Sequence, residues 1–259
     1  MAAVCVVQGA SRGIGLQFCS ALLSRNVCKV IATCRNPSQS EGLLNLKDKH
    51  QHSLSVLPLD MTNEADIISA AQEVSNRYGK VDLLINCAGM LHPSGRGETS
   101  LKSVSQEGLL ETLSTNAVGP LLMAKHFTPL LMKGDGLIGT QSTEKKSQHC
   151  AVLVNMSAKV GSIQDNGLGG WYSYRMSKAA LNMSTKNLSI ELGRGQKKVV
   201  CISLHPGTVD TDLSRPYHKN VKTLFTVSHS VDCMLKVVDS LSVSDTGKFY
   251  TYDKSLLPF

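Results

Sequence analysis

Aromatic residues are scarce in this chain of 259 residues: they make up 5 % of it, with one Trp and five Phe. Surfaces that bind single-stranded nucleic acid combine aromatic and basic side chains, and no stretch of this chain interleaves the two. The formal net charge is +7, but the basic residues are scattered, and the densest groups, Lys145-Lys146 and Lys197-Lys198, are short. We interpret the charge as a solvated surface, with nucleic-acid binding as the less favoured alternative.

None of the eight cysteines forms a C-x-x-C pair, which disfavours zinc ribbons and thioredoxin-like redox sites, and no metal site is predicted. Most cysteines lie in apolar runs, as free buried cysteines do, and this fits a reducing compartment. No apolar run approaches the ~18 residues that span a bilayer. The beginning, Met1-Ala2-Ala3, does not look like a targeting segment. We expect a cytoplasmic location and no membrane partner.

Short apolar runs alternate with longer segments of helical period, and near-continuous apolar character is typical of strands covered on both faces. The predicted strands lie at 4–7, 29–34, 54–57, 83–86, 151–154, 199–203 and 248–252. The predicted helices lie at 14–27, 63–78, 103–131, 172–193 and 229–241. This order predicts one α/β domain over residues 1–259, a Rossmann-type doubly wound parallel sheet of about seven strands with helices on both faces. The polar stretch 134–149 is predicted to be a surface loop.

A glycine-rich segment follows the first predicted strand and opens the first helix. It reads Gln8-Gly9-Ala10-Ser11-Arg12-Gly13-Ile14-Gly15, a G-x-x-x-G-x-G pattern. Glycines allow a tight turn and a close approach of backbone N–H groups to a pyrophosphate, and the helix N-terminus adds partial positive charge. A glycine pattern alone is weak evidence, but this one has the required strand and helix on its two sides. It predicts a dinucleotide site.

The second predicted strand ends in Cys34-Arg35, where NAD-binding chains carry an acidic residue for the ribose 2′-hydroxyl. Arg12 of the glycine segment can approach the same region. Two guanidinium groups suit a 2′-phosphate because they form bidentate, charge-assisted hydrogen bonds. We therefore favour NADP(H) over NAD(H); the alternative is that Arg35 is only a solvated residue at a strand end.

Five motifs occur in the order found in the short-chain dehydrogenases/reductases, and the chain resembles this family over nearly its full length. They are the glycine segment, Asp60, Asn86-Cys87-Ala88-Gly89, Tyr174-Arg175-Met176-Ser177-Lys178 and Pro206-Gly207. Each motif alone is modest, but the ordered set is specific. Within the family the chain looks most like the C-factor and sniffer-type carbonyl reductases, as in Gly169-Gly170-Trp171-Tyr172-Ser173-Tyr174-Arg175.

The resemblance implies further cofactor contacts beyond the glycine segment. The expected adenine contacts are Asp60 and Met61. The residues expected to line the cofactor ribose are Asn86, Ala88 and Gly89, and those expected to hold the nicotinamide carboxamide are Pro206, Val209 and Thr211. Taken without the resemblance, Asp60 and Thr211 are ordinary turn residues.

Tyr174 and Lys178 are four positions apart and therefore share one face of the predicted helix. A nearby ammonium is expected to lower the pKa of the phenol from its usual ~10, so that Tyr174 can donate a proton to a carbonyl oxygen. In the family the lysine also holds the ribose hydroxyls of the nicotinamide half, and the resemblance implies that both Tyr174 and Lys178 contact the cofactor. Tyr172 has Met176 at the corresponding position, so we expect it to pack or to flank the cleft.

Two polar positions complete the expected site. By resemblance, Asn116 binds a water molecule linked to the lysine; the alternative is a local kink. The family pattern Asn-x-Ser-Ser-x-x-Gly here reads Asn155-Met156-Ser157-Ala158-Lys159-Val160-Gly161. The catalytic serine thus aligns with Ala158, so either Ser157 or Ser162 takes its role, or the hydroxyl is missing.

These patterns predict an enzyme that reduces an aldehyde or ketone with NADPH. The alternative is a nucleotide-binding signalling protein of C-factor type with weak or no catalysis. The expected partners are a small carbonyl substrate and further copies of the chain, in a homodimer or homotetramer. A lid is expected at 212–225. The substrate and the physiological direction cannot be read from the sequence.

Overall fold

The fold is that of a computed structural model, which describes residues 2–144, 148–221 and 223–259. Lys145 and Lys146, half of the basic groups noted above, lie outside the described residues, as does part of the predicted polar loop. In the described part of the chain, no helix combines the length and the apolar character needed to cross a membrane.

Seven parallel strands form one sheet in the described residues, in the order β3-β2-β1-β4-β5-β6-β7. Their bounds are β1 Ala3–Gln8, β2 Cys28–Cys34, β3 Leu54–Pro58, β4 Leu83–Asn86, β5 Ala151–Met156, β6 Val199–His205 and β7 Phe249–Thr251. The strands β1, β4 and β5 are buried along their whole length. The prediction of a parallel, Rossmann-type sheet with about seven strands is confirmed.

Helices cover both faces of the sheet. Their bounds are α1 Gly13–Leu23, α2 Glu41–Lys49, α3 Glu64–Tyr78, α4 Gln106–Leu113, α5 Gly119–Leu131, α6 Tyr172–Glu191 and α7 Val227–Asp239. One face packs against a cluster that includes Phe18 and Leu235, and the other against a cluster that includes Ile67, Phe127 and Leu188. The near-continuous apolar strands are therefore explained by the burial of both faces.

The predicted helices differ from the structure in three places. The helix predicted at 14–27 ends at Leu23, so its last four predicted positions lie outside α1. The helix α2 was not predicted, because it buries one residue fully, Leu43, and leaves most of its other positions exposed. The helix predicted at 103–131 is interrupted, since residues Ser114–Val118 form a π-helical segment between α4 and α5. This insertion turns Asn116, which is fully buried, towards the turn after β4.

The strand order reverses between β1 and β4, where the crossovers leave towards opposite sides of the sheet. In open α/β sheets this switch point opens a crevice beyond the carboxyl ends of the strands. The glycine segment follows β1, the Asn86–Gly89 segment follows β4 and the Pro206-Gly207 turn follows β6. The topology thus brings three of the predicted motifs to one edge of the sheet.

Candidate active site

A cleft of about 1460 Å³ opens at this edge. Most of the residues predicted for cofactor binding and catalysis line it, including the whole run from Ser11 to Gly15, Arg35 and the pair Tyr174 and Lys178. Because these residues come from segments spread over most of the sequence, the fold and not sequence proximity assembles the site.

The glycine segment forms a tight turn that leaves room for a ligand. Gly9 has φ +80°, and a Cβ atom on it would lie 2.5 Å from the backbone nitrogen of Ala88. The helix α1 begins at Gly13, and the extended residue before it, Arg12, gives no side-chain cap. The first N–H groups of a helix have no partner inside the helix. Here they are available to a phosphate, which is the fit expected for a dinucleotide.

The two predicted arginines lie near the mouth of the cleft. Arg35 is exposed just after β2, and among the described residues no acidic side chain pairs with it. Arg12 pairs with Asp212 at 3.1 Å, and Asp212 also holds Arg215 at 2.8 Å. Arg35 is thus open to an anion, whereas Arg12 would have to leave Asp212 to reach one.

The remaining predicted cofactor residues are divided between the cleft and the layer beneath it. Those that line the cleft are Asp60, Met61, Ala88, Gly89, Pro206, Val209 and Thr211. A carboxylate oxygen of Asp60 accepts the N–H and O–H groups of Thr62, so this side chain shapes the turn after β3. Asn86 does not line the cleft, in contrast to the expectation. Its amide donates to Asn155 at 2.8 Å and so ties β4 to β5.

The pair Tyr174 and Lys178 lies buried in the first turns of α6, with exposed fractions of 8 % and 3 %. The Lys178 ammonium is 5.7 Å from the centre of the Tyr174 ring and donates a hydrogen bond to the Met156 carbonyl at 2.8 Å. The two side chains therefore share the same face of the helix, as their spacing predicts. Met156 ends β5, so the lysine also anchors α6 to the sheet.

The pKa values of the pair correct one expectation. Burial raises the pKa of Tyr174 to about 12, and burial lowers the pKa of Lys178 to about 8. The prediction of a lowered phenol pKa is therefore wrong for this structure, and burial is the cause of the raised value. Tyr174 is a neutral phenol at neutral pH and can act as a proton donor.

Asn116 lies behind the pair and does not line the cleft. Its amide donates to the Met90 carbonyl at 2.7 Å and to the Ser177 hydroxyl at 2.9 Å, and its oxygen accepts the Met90 N–H at 2.9 Å. It connects the turn after β4 with α6. The predicted water-binding role stays a prediction, while the kink considered as the alternative is present as the π-helical segment.

The three serine alternatives have different surroundings. The Ser157 hydroxyl donates to Asn182 of α6 at 2.7 Å, and the Ser162 hydroxyl accepts the Asp165 N–H at 3.1 Å. The methyl group of Ala158 packs with Leu91 and Tyr174. The position that packs with Tyr174 is therefore an alanine, and both neighbouring hydroxyls are engaged in hydrogen bonds elsewhere.

Aromatic side chains that the sequence did not mark as a unit cover Tyr174. The Trp171 ring lies 6.2 Å from the Tyr174 ring and 4.7 Å from the Tyr217 ring, measured between centres. The Tyr217 hydroxyl accepts the Gly97 N–H at 3.0 Å. Tyr172 is half-buried and does not line the cleft. The wall of the cleft beside Tyr174 is thus formed by Trp171 and Tyr217.

Several described residues of the segment predicted as a lid, 212–225, line the cleft, among them Leu213, Tyr217 and Val221. Phe225 pairs with Thr208 and Asp210 through backbone hydrogen bonds of 2.9 Å, which close the base of the loop. Within it, Arg215–Asn220 form a short 3₁₀ helix that carries Tyr217. Lys222, which belongs to the predicted range, lies outside the described residues.

Comparison with known proteins places these features in one family. A family model described as short chain dehydrogenase matches residues 3–222. An uncharacterized oxidoreductase of Schizosaccharomyces pombe is 30 % identical over 98 % of this chain and 96 % of its own length. The C-signal of Myxococcus xanthus is 33 % identical over 70 % of this chain and 94 % of its own length.

Two solved structures are similar over almost the whole chain. The NADPH-bound carbonyl reductase from chicken fatty liver has a TM-score of 0.86 at 36 % identity, with 99 % of this chain and 98 % of that chain covered. The carbonyl reductase Sniffer of Drosophila melanogaster has a TM-score of 0.86 at 30 % identity, with both chains covered in full.

The cleft beside a glycine turn, with a buried tyrosine–lysine pair in its wall, defines a nucleotide-binding oxidoreductase site. The chain belongs to the short-chain dehydrogenase/reductase family, and it is an oxidoreductase of the carbonyl reductase type.

Proposed function

We propose that this enzyme reduces an aldehyde or ketone to an alcohol with NADPH and that Tyr174 donates the proton. The observation that carries the proposal is the burial of Tyr174 beside Lys178 in the wall of the cleft that begins at the glycine turn. The carbonyl reductase from chicken fatty liver, similar over 99 % of this chain, was crystallised with NADPH. In this enzyme, residues 1–259 would form one cofactor-binding domain.

Different groups of the chain would bind the cofactor and protonate the substrate. The N–H groups at the start of α1 would bind the pyrophosphate, Arg35 and Arg12 the 2′-phosphate, and Ala88 and Gly89 the ribose side of the cleft. A reduced nicotinamide, when bound, would supply the hydride. As the carbonyl oxygen gains negative charge, the Tyr174 hydroxyl donates its proton to it. Lys178 contributes a positive charge beside the phenol, which favours the transfer.

The cofactor preference gives the first prediction. Replacing Arg35 with alanine should weaken NADPH binding by about 10- to 100-fold, because one charge-assisted interaction with the 2′-phosphate is lost. NADH affinity should not change, since NADH lacks that phosphate. Quenching of fluorescence from the single tryptophan, Trp171, which lines the cleft, measures both affinities.

Arg77→Ala is the matched control, because Arg77 is an exposed arginine of α3 outside the cleft. An equal loss of affinity for NADPH and for NADH in Arg35→Ala would show that Arg35 does not bind the 2′-phosphate. Failure of the wild-type protein to bind NADPH would refute the proposed function altogether.

The alanine at the serine position gives the second prediction. Ala158→Ser should raise kcat for carbonyl reduction by roughly tenfold or more, because a hydroxyl beside Tyr174 can donate a hydrogen bond to the developing oxyanion. Ser157→Ala should change kcat little, since the Ser157 hydroxyl is bonded to Asn182. Steady-state rates on the same carbonyl compare the two variants. A large loss in Ser157→Ala would instead assign the serine role to Ser157.

A signalling protein with weak or no turnover is the second candidate. It is favoured by Ala158 and by the similarity to the C-signal of M. xanthus. A panel of aldehydes and ketones with NADPH separates the two functions: turnover supports the reductase, and NADPH binding without turnover on any of them supports the signalling protein. The expected absence of a nucleic-acid partner, the expected homodimer or homotetramer and the cytoplasmic location stay predictions.

A further inference from the structure

A buried carboxylate lies against the start of the helix that carries Tyr174. Glu98, in the segment between β4 and α4, is 4 % exposed. Its carboxylate accepts the Ser173 N–H at 3.1 Å and also the Ser173 hydroxyl. Its carbonyl oxygen accepts the Trp171 N–H at 2.6 Å. Glu98 therefore satisfies N–H groups at the beginning of α6 that have no partner within the helix, and its negative charge is favourable at a helix N-terminus.

The residue that begins this helix has an unusual backbone conformation. Trp171 has φ +51°, in the left-handed region that bulky residues rarely adopt. Such a conformation persists only where the surroundings enforce it, and it occurs preferentially at functional sites. The hydrogen bond from Trp171 to the Glu98 carbonyl is one such constraint. The neighbouring Gly97 leaves room for the Trp171 ring in this conformation, because a Cβ atom there would lie 2.5 Å from Cδ1 of the ring.

The same contacts determine the surroundings of the phenol. The Trp171 ring packs edge-on with the Tyr174 ring and in a tilted arrangement with the Tyr217 ring. Ser173, the other partner of Glu98, is the residue directly before Tyr174. Burial by itself raises the pKa of the Glu98 carboxyl, but the hydrogen bonds from Ser173 hold that pKa below its usual value. The group that meets the helix is therefore a carboxylate at neutral pH.

We propose that Glu98 is a positioning residue for Tyr174: it fixes the first turn of α6 and the left-handed Trp171, and thereby aims the phenol into the cleft. Glu98 does not touch the reacting atoms. The inference rests on the proposed function in one respect, namely that Tyr174 is the proton donor.

Three variants and one control test the inference in the full-length protein. Glu98→Ala removes the carboxylate, Glu98→Gln keeps an acceptor oxygen in the same place, and Ser173→Ala removes one of the two donors. Asn63→Ala is the control, because Asn63 caps α3 by accepting the Ala65 N–H and does not line the cleft. The measurements are kcat, NADPH affinity, Trp171 emission and hydrogen exchange of the Ser173 amide.

In Glu98→Ala we expect kcat to fall on the order of 10²-fold, because a small misplacement of a catalytic group has an effect of that size. NADPH affinity should be preserved, Trp171 emission should shift to longer wavelength, and the Ser173 amide should exchange faster. Glu98→Gln and Ser173→Ala should retain most of kcat. Asn63→Ala should reduce the melting temperature without changing kcat or Trp171 emission.

A folded Glu98→Ala protein with wild-type kcat and wild-type Trp171 emission would overturn the inference. A matching fall of kcat in Asn63→Ala would also overturn it, because the effect would then be general destabilisation. If the wild-type protein reduces no carbonyl, the proposed function fails, and Trp171 emission and Ser173 exchange alone decide whether Glu98 fixes the helix start. Unchanged values in Glu98→Ala would then refute the inference, and altered values would support it.

Discussion

Replacement of Tyr174 by phenylalanine is expected to slow carbonyl reduction by about 10³-fold, within the range that a positioned acid contributes. The variant removes the hydroxyl and leaves the ring that packs against Trp171 and Ala158. Because burial raises the pKa of Tyr174 to about 12, the phenol holds its proton across the neutral range. It gives that proton up only when a stronger base, the forming alkoxide, is next to it.

The measurement is the rate of NADPH oxidation with a carbonyl that the wild-type enzyme reduces, together with NADPH affinity from Trp171 quenching. Affinity should be nearly unchanged, because the phenol acts on the substrate. Tyr172→Phe is the matched control: Tyr172 precedes Tyr174 by two positions and does not line the cleft. Equal rates for wild type and Tyr174→Phe would remove Tyr174 from the mechanism.

Replacement of Lys178 by methionine is expected to abolish most activity and to stabilise the folded protein. Burial lowers the pKa of Lys178 to about 8, whereas an unfolded lysine titrates near ~10.4. The folded state therefore binds this proton less tightly, which disfavours folding by on the order of 3 kcal/mol at neutral pH. Methionine removes that penalty but leaves the Met156 carbonyl without its donor, so the net gain should be about 1–2 kcal/mol.

The burial of Lys178 also predicts how its contribution to the free energy of unfolding changes with pH. Between pH 8 and roughly 10.4 the unfolded chain holds more protons at this residue than the folded chain, so the contribution of Lys178 to the free energy of unfolding should rise with pH. Buried thiols such as Cys87 and Cys201, whose pKa burial raises, contribute in the opposite direction in both wild type and variant. The stability advantage of Lys178→Met over wild type should therefore shrink as the pH rises through this window, whereas the difference between Lys49→Met and wild type should stay nearly constant, since Lys49 is exposed on α2. Chemical denaturation at several pH values measures it. A less stable Lys178→Met protein at neutral pH would contradict the account.

Much of the fold follows from the sequence because both faces of the sheet are buried. Strands such as β4 and β5 are apolar at nearly every position, and the glycine segment and the Tyr174–Lys178 spacing identify one edge as the site. The sequence did not predict the helix α2, because this helix packs mainly through one residue, Leu43. The predicted continuous helix around Asn116 overlooked a π-helical segment, which depends on contacts with the distant Met90 and Ser177.

The chemistry of the site was less predictable than its location. The spacing of Tyr174 and Lys178 gives their proximity but not their burial, and burial decides the direction of the pKa of Tyr174. Glu98 stands in a glycine-containing loop far from α6 in sequence, and no periodic pattern marks it. Its role depends on two hydrogen bonds that exist only in the folded chain: its carbonyl oxygen accepts the Trp171 N–H, and its carboxylate accepts the Ser173 N–H.

The central claim is that hydride reaches a carbonyl carbon in this cleft while Tyr174 protonates the oxygen. NADPH carrying deuterium at the transferred position of the nicotinamide tests it most directly, with wild type and Tyr174→Phe compared on one carbonyl and the alcohol analysed by mass spectrometry. We predict deuterium on the carbinol carbon with the wild-type enzyme and almost no alcohol with the variant. An alcohol without deuterium, or equal labelled product from both proteins, would contradict the claim.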